Sequence, residues 1–254
     1  LTQFVAVPLR FPLLRSLYVW VEINDEMKLY KFRGVSQIER VLDIIINERL
    51  YCPVYRDMND PFEGLFAYTI HLNSQDRIKY QSMFFQPPEK MTVHRSVDDL
   101  ILEKIDNTRV CSLSASLTDV RMWSHYAEGH SGIAVELDFS GYESEVVEVK
   151  YKDSLPLFGF TLLSRPQPHE VLAHKTDHWD YEREYRIITE NEFHSVSGRI
   201  SAVYCGIKIS GDILDLLSKV IPEKIPIFKT VLNKHSVKIQ QDKEPLERKD
   251  QVTR

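Results

Sequence analysis

Short segments with the two-residue alternation of a strand dominate this chain, and they do not alternate regularly with helical segments. A parallel sheet needs a crossover helix between successive strands, so this order favours an α+β fold over a doubly wound α/β fold. Strands are expected over 28–33, 50–54, 65–72, 110–114, 132–139, 146–151, 185–189, 202–207, 227–231 and 236–239. Ile38, Val41, Leu42, Ile45 and Ile46 fall at helical spacing and predict a helix over 37–48. Ser36 reads as its N-cap, and Glu39 completes a capping box. Further helices are expected over 74–85, 97–105, 122–127, 169–177 and 212–220. Asn59-Asp60-Pro61 is a turn signal, and the prolines between Pro156 and Pro168 predict a loop with a short element.

The chain ends set the domain limits. Phe4 to Ile23 is an apolar run, but Pro8, Arg10, Pro12 and Arg15 interrupt it. A membrane-spanning helix wants an uninterrupted run, and a signal peptide carries its charge ahead of the apolar core. Residues 1–26 are therefore expected to lie outside the main fold, with Met27 as a natural start. Residues 241–254 are charged, lack apolar periodicity and read as a disordered tail. A single α+β domain over 27–240 remains, long enough to build a core without disulfides. Cys52, Cys111 and Cys205 make no CxxC pair, which fits a reducing cytoplasm. The net charge of −5 argues against a broad nucleic-acid surface, though not against a local basic groove.

Candidate chemistry concentrates between Arg109 and Phe139. Ser112 and Ser114 share a strand face and can bond a ribose or amide, while Cys111 and Leu113 face the core. Trp123, His125 and Tyr126 follow on a helical segment and can wall a pocket or fill the core. In a strand Glu182, Glu184 and Arg186 would share one face, and two neighbouring carboxylates perturb each other's proton affinity. A solvated, charge-alternating edge explains that pattern equally well. Arg33 ends the first strand and can clamp a phosphate with two hydrogen bonds. His169, His174, His178 and Glu182 lie near helical spacing, but no HExxH motif accompanies them and no metal site is expected. Walker A, GxGxxG and GxSxG motifs are absent.

The motifs LYKFR, RLYCPVYRDMNDPFEG, CSLS, MWSHYAEGHSGIAVELD and WDYEREYR, in that order, resemble the bacterial and phage-associated family called domain of unknown function 2971. The similarity runs from Met27 to Gly206. That family is remotely similar to the ADP-ribosyltransferase superfamily, which includes toxin and phage-defence members. The resemblance implies a single α+β domain with a split mixed sheet and helices packed around it. It also implies NAD as substrate and three scattered site positions. Arg33 or Tyr30 matches the first, Ser112 and Ser114 the second, and Glu184, with Glu182 as companion, the catalytic third. The chain has no Ser-Thr-Ser triplet at the second position.

On this reading Glu184 and Glu182 stabilise a developing ribosyl cation, as carboxylates do in glycoside hydrolysis. Arg33 holds the pyrophosphate, Ser112 and Ser114 orient ribose, and Trp123 or Tyr126, beside His125, stacks on nicotinamide. The acceptor would be a protein or a single-stranded nucleic acid, an antitoxin is a possible partner, and no membrane is involved. Two alternatives stand beside it: a non-catalytic nucleotide- or nucleic-acid-binding module, and a carboxylate-pair hydrolase of a nucleotide or sugar. Convergence of Arg33, Ser112 and Glu184 on one cleft is the structural requirement.

Overall fold

The computed structural model describes residues 3–9, 17–23, 26–70, 91–96, 108–160, 167–233, 238–242 and 244–246. The helices expected over 74–85 and 97–105 lie outside them. In chain order the elements begin with β1 (Gln3–Leu9) and β2 (Leu17–Ile23), which form a separate antiparallel pair. Then come β3 (Lys28–Arg33), α1 (Ile38–Asn47), β4 (Arg49–Tyr51), β5 (Leu65–Ile70), β6 (Met91–Ser96) and β7 (Arg109–Ser114). The middle of the chain forms α2 (Val120–Tyr126), β8 (Ile133–Asp138), β9 (Val147–Glu148), β10 (Lys150–Lys152) and β11 (Leu157–Phe160). The last part gives α3 (Pro168–Val171), β12 (His174–Thr176), β13 (Glu184–Thr189), β14 (Phe193–Ser195), β15 (Ile200–Cys205), α4 (Gly211–Val220), β16 (Ile227–Asn233) and β17 (Lys238–Gln241).

The fold is α+β around an eight-stranded mixed sheet, ordered β17-β16-β15-β8-β3-β7-β13-β9. The β15–β16 pair is parallel and the others are antiparallel. Helix α1 buries Val41, Ile44 and Ile45, a stripe at i, i+3 and i+4, against Leu29, Cys111, Leu113, Val135 and Ile187 on one sheet face. Truncating one of those isoleucines to alanine should cost about 2–5 kcal/mol. Helix α2 covers the other face, packing Met122 and Trp123 on Phe32, Ala134 and Tyr204. A smaller cluster of Tyr55, Phe66, Val110, Val171 and Leu172 lies beside it.

One seam in the sheet is incomplete. β3 pairs with β8 from Lys28↔Asp138 to Arg33↔Ile133, and β7 pairs with β13 from Arg109↔Thr189 to Ser114↔Glu184. Between β3 and β7 the only paired residues are Tyr30 and Ser114. Further along β7 the neighbour becomes residues 53–55, through the Val54↔Arg109 bridge and the Val110 N–H to Pro53 carbonyl bond of 2.9 Å. The sheet thus divides at Tyr30/Ser114. Across the gap the Lys31 ammonium donates to the Ser112 carbonyl at 2.6 Å, which satisfies a backbone acceptor that β3 does not reach.

Several local expectations change. Ser36 does not cap α1: the preceding turn is a 3₁₀ segment, and the Ser36 N–H instead donates to Glu128 at 2.9 Å. A carboxylate from a distant turn thus replaces the local capping box. The strand expected over 50–54 shortens to β4, because Pro53 supplies no N–H to extend a ladder. The segment 169–177 is not one helix. It divides into α3, the strand β12 and a 3₁₀ turn, Asp177–Glu182, because β12 finds β10 as a parallel partner. The tail is not free where it is described: Asp242 N–H bonds Lys229 C=O, Leu246 N–H bonds Ile227 C=O, and Leu246 packs on the core. Backbone pairing to an edge strand needs no side-chain periodicity, so the pattern did not announce it. Among the described residues no helix is long and apolar enough to cross a membrane.

Candidate functional site

A cleft of about 790 Å³ opens at the seam where β3 and β7 part. β3 contributes Tyr30, Lys31, Phe32 and Arg33, and β7 contributes Val110, Ser112, Leu113 and Ser114. α2 adds Met122, His125 and Tyr126, and Lys175, Glu182 and Glu184 close one end. Arg33, Ser112 and Glu184, widely separated in sequence, therefore reach one cavity.

Glu182 and Glu184 come together by a route the strand pattern did not predict. Glu182 ends the 3₁₀ turn and Glu184 begins β13, so they do not share a strand face. Arg183 between them is left-handed, with φ of 43° and ψ of 54°, and this reversal aims both carboxylates at Lys175. The Lys175 ammonium is 2.6 Å from Glu182 and 3.3 Å from Glu184. Arg186, alternate to Glu184 on β13, takes that carboxylate with Nε at 2.8 Å and Nη2 at 3.0 Å. The same guanidinium holds Glu63 through Nη1 at 2.5 Å and Nη2 at 2.9 Å. Arg186 is wholly buried, so its charge persists only because both carboxylates surround it.

Three carboxylates thus meet two cations, and their protonation divides accordingly. Burial works against the charge of Glu184, but the Arg186 and Lys175 charges, with hydrogen bonds from Arg186 and Ser112, lower it to about 2. Burial dominates at Glu182 and raises it, against the pull of Lys175 and Tyr126. Burial likewise raises Glu63 despite Arg186. Glu184 is the permanent anion, and Glu182 is the carboxyl whose proton affinity is open to change. Its Oε1 accepts from the Tyr126 hydroxyl at 2.5 Å and its Oε2 from Lys175, which leaves each oxygen one further lone pair.

Away from that end the lining carries Lys31, Arg33 and Arg40, together with the carboxylates Glu39, Asp57 and Glu128. Burial lowers the proton affinity of both Lys31 and Arg33. Arg40 is close enough to lower Arg33 further, and it stacks on the Tyr51 ring at 3.9 Å. Arg40 also shares the field of Asp43, but that carboxylate is already bound by Arg49 at 3.0 Å. Among the described residues none of these three cations forms a salt bridge, and the buried Nε of Arg33 has no hydrogen-bond partner. The placement of Arg33 depends on Gly132, where a Cβ would come within 2.2 Å of the Arg33 carbonyl.

The remaining predicted residues divide between lining and support. Ser112 lines the cleft. Ser114 also lines it, but its hydroxyl is committed to the Glu182 carbonyl at 2.5 Å. Tyr30 presents its ring, while its hydroxyl donates to Glu136 at 3.0 Å and is held there. His125 stands exposed at the mouth, with Tyr126 and Tyr181 each 6.3 Å away ring to ring. Trp123 is a correction: it does not line the cleft but is fully buried, with Nε1 bonded to the Leu117 carbonyl at 2.7 Å and its ring edge-on to Phe32. It occupies the inward face of α2, whereas His125 and Tyr126 occupy the flank beside the cleft.

Lys175, Glu63, Lys31 and Arg40 are the residues the sequence reading missed. Lys175 sat inside a segment read as helical, and a lone lysine gives no local signal. Glu63 did have one, in the motif Asn59–Gly64. Asp60 accepts from Thr176 at 3.3 Å and Glu63 binds Arg186, so that motif clasps the acidic end. No protein-family model, curated protein or solved structure matches this chain.

Proposed function

We propose that this chain is an NAD-dependent ADP-ribosyltransferase of the kind found among bacterial toxins and phage-defence effectors. The observation that carries the reading is the polarity of the cleft, with cations lacking carboxylate partners at one end and Glu182 at the other. A dinucleotide has the matching polarity: a pyrophosphate that wants guanidinium groups, and a ribose–nicotinamide bond whose cleavage builds positive charge. Arg33 and Arg40 take the pyrophosphate, Ser112 orients ribose, and Tyr126 meets the nicotinamide ring. The division of the sheet at Tyr30/Ser114 supports the likeness to the split-sheet ADP-ribosyltransferase fold, and with it the relation to domain of unknown function 2971.

The roles of the two carboxylates change from those the resemblance implied. Glu182 is the catalytic carboxylate, because it retains accepting capacity toward the cleft and stabilises the ribosyl cation more than the ground state. Glu184 is the positioning residue, since Arg186 and Lys175 already bind it. The acceptor is a protein or a short single-stranded nucleic acid, and an antitoxin is the natural partner of such an activity in a bacterial cytoplasm.

Incubation with labelled NAD and a cell lysate, then separate protease and nuclease digestion, tests this reading. Label transfer and metal-independent nicotinamide release are expected from the wild type, with both lost in Glu182→Gln. A second reading, a non-catalytic nucleotide-binding module, is favoured by the donors already present on both oxygens of Glu182. NAD binding without nicotinamide release selects that module, and hydrolysis of a nucleotide or sugar without transfer selects the carboxylate-pair hydrolase.

A further inference from the structure

Lys175 is enclosed by the turn that follows it. Its Nζ lies 2.6 Å from Glu182 Oε2, 3.3 Å from Glu184 Oε2 and 4.6 Å from the centroid of the Trp179 ring. The charge thus meets two carboxylates and the face of an indole, and the side chain is only 4 % exposed. The 3₁₀ turn Asp177–Glu182 builds this enclosure, because it lays Trp179 over the lysine and returns Glu182 to it. The lysine itself is fixed by β12, where Lys175 pairs with Tyr151 of β10. The Tyr151 hydroxyl in turn accepts the Glu184 N–H at 2.7 Å, so one strand pair places both the cation and one of its carboxylates.

The second cation of the cluster has nothing left for Glu182. A guanidinium carries five N–H donors. Those of Arg186 go to Glu184 from Nε and Nη2, to Glu63 from Nη1 and Nη2, and to the Leu172 carbonyl from Nη1. Among the described residues Lys175 is therefore the one cation bonded to Glu182. The other groups facing that carboxylate do not favour its charge as a cation would. Tyr126 on α2 donates a neutral hydroxyl, Glu184 on β13 is an anion, and Tyr151 and Tyr181 are neutral phenols. Glu63 lies on the far side of Arg186 and is a further carboxyl. Without the ammonium, Glu182 would be a buried carboxyl beside an anion and would take up a proton. A protonated carboxyl has lost the charge that a developing cation needs.

We propose that Lys175 is a positioning residue for Glu182: its ammonium keeps that carboxylate ionised and, with Tyr126 on the other oxygen, fixes its plane toward the cleft. The inference rests on the reading of Glu182 as the catalytic carboxylate. It divides the two cations by task. Arg186 holds Glu184 and Glu63 as part of the fold, whereas Lys175 sets the charge state of the group that acts. Trp179 keeps water from the ammonium, which strengthens its hold on Glu182. Taking the cation away raises the proton affinity of the carboxyl, so the acid limb of nicotinamide release moves to higher pH.

The full chain, labelled at the glutamate carboxyl carbons and the lysine Nζ, is titrated by NMR. The Glu182 signal is identified by its loss in Glu182→Gln, and the Lys175 signal by its loss in Lys175→Arg. In the wild type the Lys175 Nζ signal should move at the Glu182 midpoint, and a Nζ signal indifferent to that midpoint overturns the proposal. In Lys175→Gln the Glu182 midpoint should rise by about one to three pH units, with Lys175→Arg restoring most of it. An unmoved midpoint in Lys175→Gln overturns the proposal as well. The acid limb of nicotinamide release should follow the same order. Equal loss of rate at every pH in both variants, with the limb in place, would leave Lys175 a support of the fold alone. If Lys175→Gln does not fold, the two wild-type signals still decide. The titrations need no NAD turnover, so a wild type that releases no nicotinamide would sink the transferase reading separately.

Discussion

The two ends of the cleft hold charge in opposite ways. At the acidic end, Glu63, Glu182 and Glu184 surround Lys175 and Arg186, and every charged group has a partner within 3.3 Å. At the basic end, Lys31, Arg33 and Arg40 have no ion-pair partner among the described residues, and one buried guanidinium nitrogen bonds nothing. Paired buried charges are a structural unit whose members depend on one another. Unpaired cations lining a cavity are matched only when an anion arrives. The difference separates the part of the site that the fold needs from the part that a ligand needs.

The largest effect should come from breaking the paired end. Arg186→Met would leave Glu63 and Glu184 buried against Lys175 alone, at a cost of about 3–5 kcal/mol. Denaturant unfolding measures it, and a loss below about 1 kcal/mol would mean that the cluster is not a structural unit. Glu182→Gln sharpens the comparison from within that end. Nicotinamide release should fall by about 10²–10³, with far less loss of stability than Arg186→Met causes. A parallel loss of stability would return Glu182 to the structural set.

Arg33→Gln should do the reverse. Pyrophosphate affinity measured by calorimetry should drop by about tenfold or more, as charge-assisted hydrogen bonds contribute about 1.5–3 kcal/mol. Stability should hold or rise, because a buried charge without a partner is removed. The acid response is smaller and divides the acidic end by sign. Glu184 is lowered to about 2, so its contribution to stability is full above the unfolded-state value of 4.5 and is lost as pH falls from there toward 2. Glu63 and Glu182 are raised, so their contributions are present below 4.5, are lost as pH rises through their folded-state values, and partly offset it. Glu184→Gln should therefore flatten the acid limb of a stability–pH curve. Arg40→Ala should be the mildest change, moving stability by no more than about 0.5 kcal/mol while weakening pyrophosphate binding less than Arg33→Gln does.

Much of the scaffold was legible in the sequence. β3, β7, β8, β13 and β15 fall close to their expected ranges because alternation of apolar residues is a local signal. Arg33, Ser112, Tyr126 and the two glutamates were legible as site candidates because they flank those elements. Trp123 was not separable from Tyr126 by pattern, since three-residue spacing leaves them on neighbouring flanks of one short helix, and only packing decides which flank is inside. The acidic pair was found for an incorrect reason: strand alternation predicted a shared face, and a left-handed Arg183 brought the carboxylates together instead.

The sequence by itself determined the α+β composition, the main strands and the faces they present, because backbone period and side-chain polarity are short-range properties. Tertiary structure alone decided the seam between β3 and β7 and the meeting of Lys175 and Glu63 with the acidic end. Those depend on which strands become neighbours across long stretches of chain. That choice rests on the summed burial of whole faces and the satisfaction of backbone polar groups, which no local window contains.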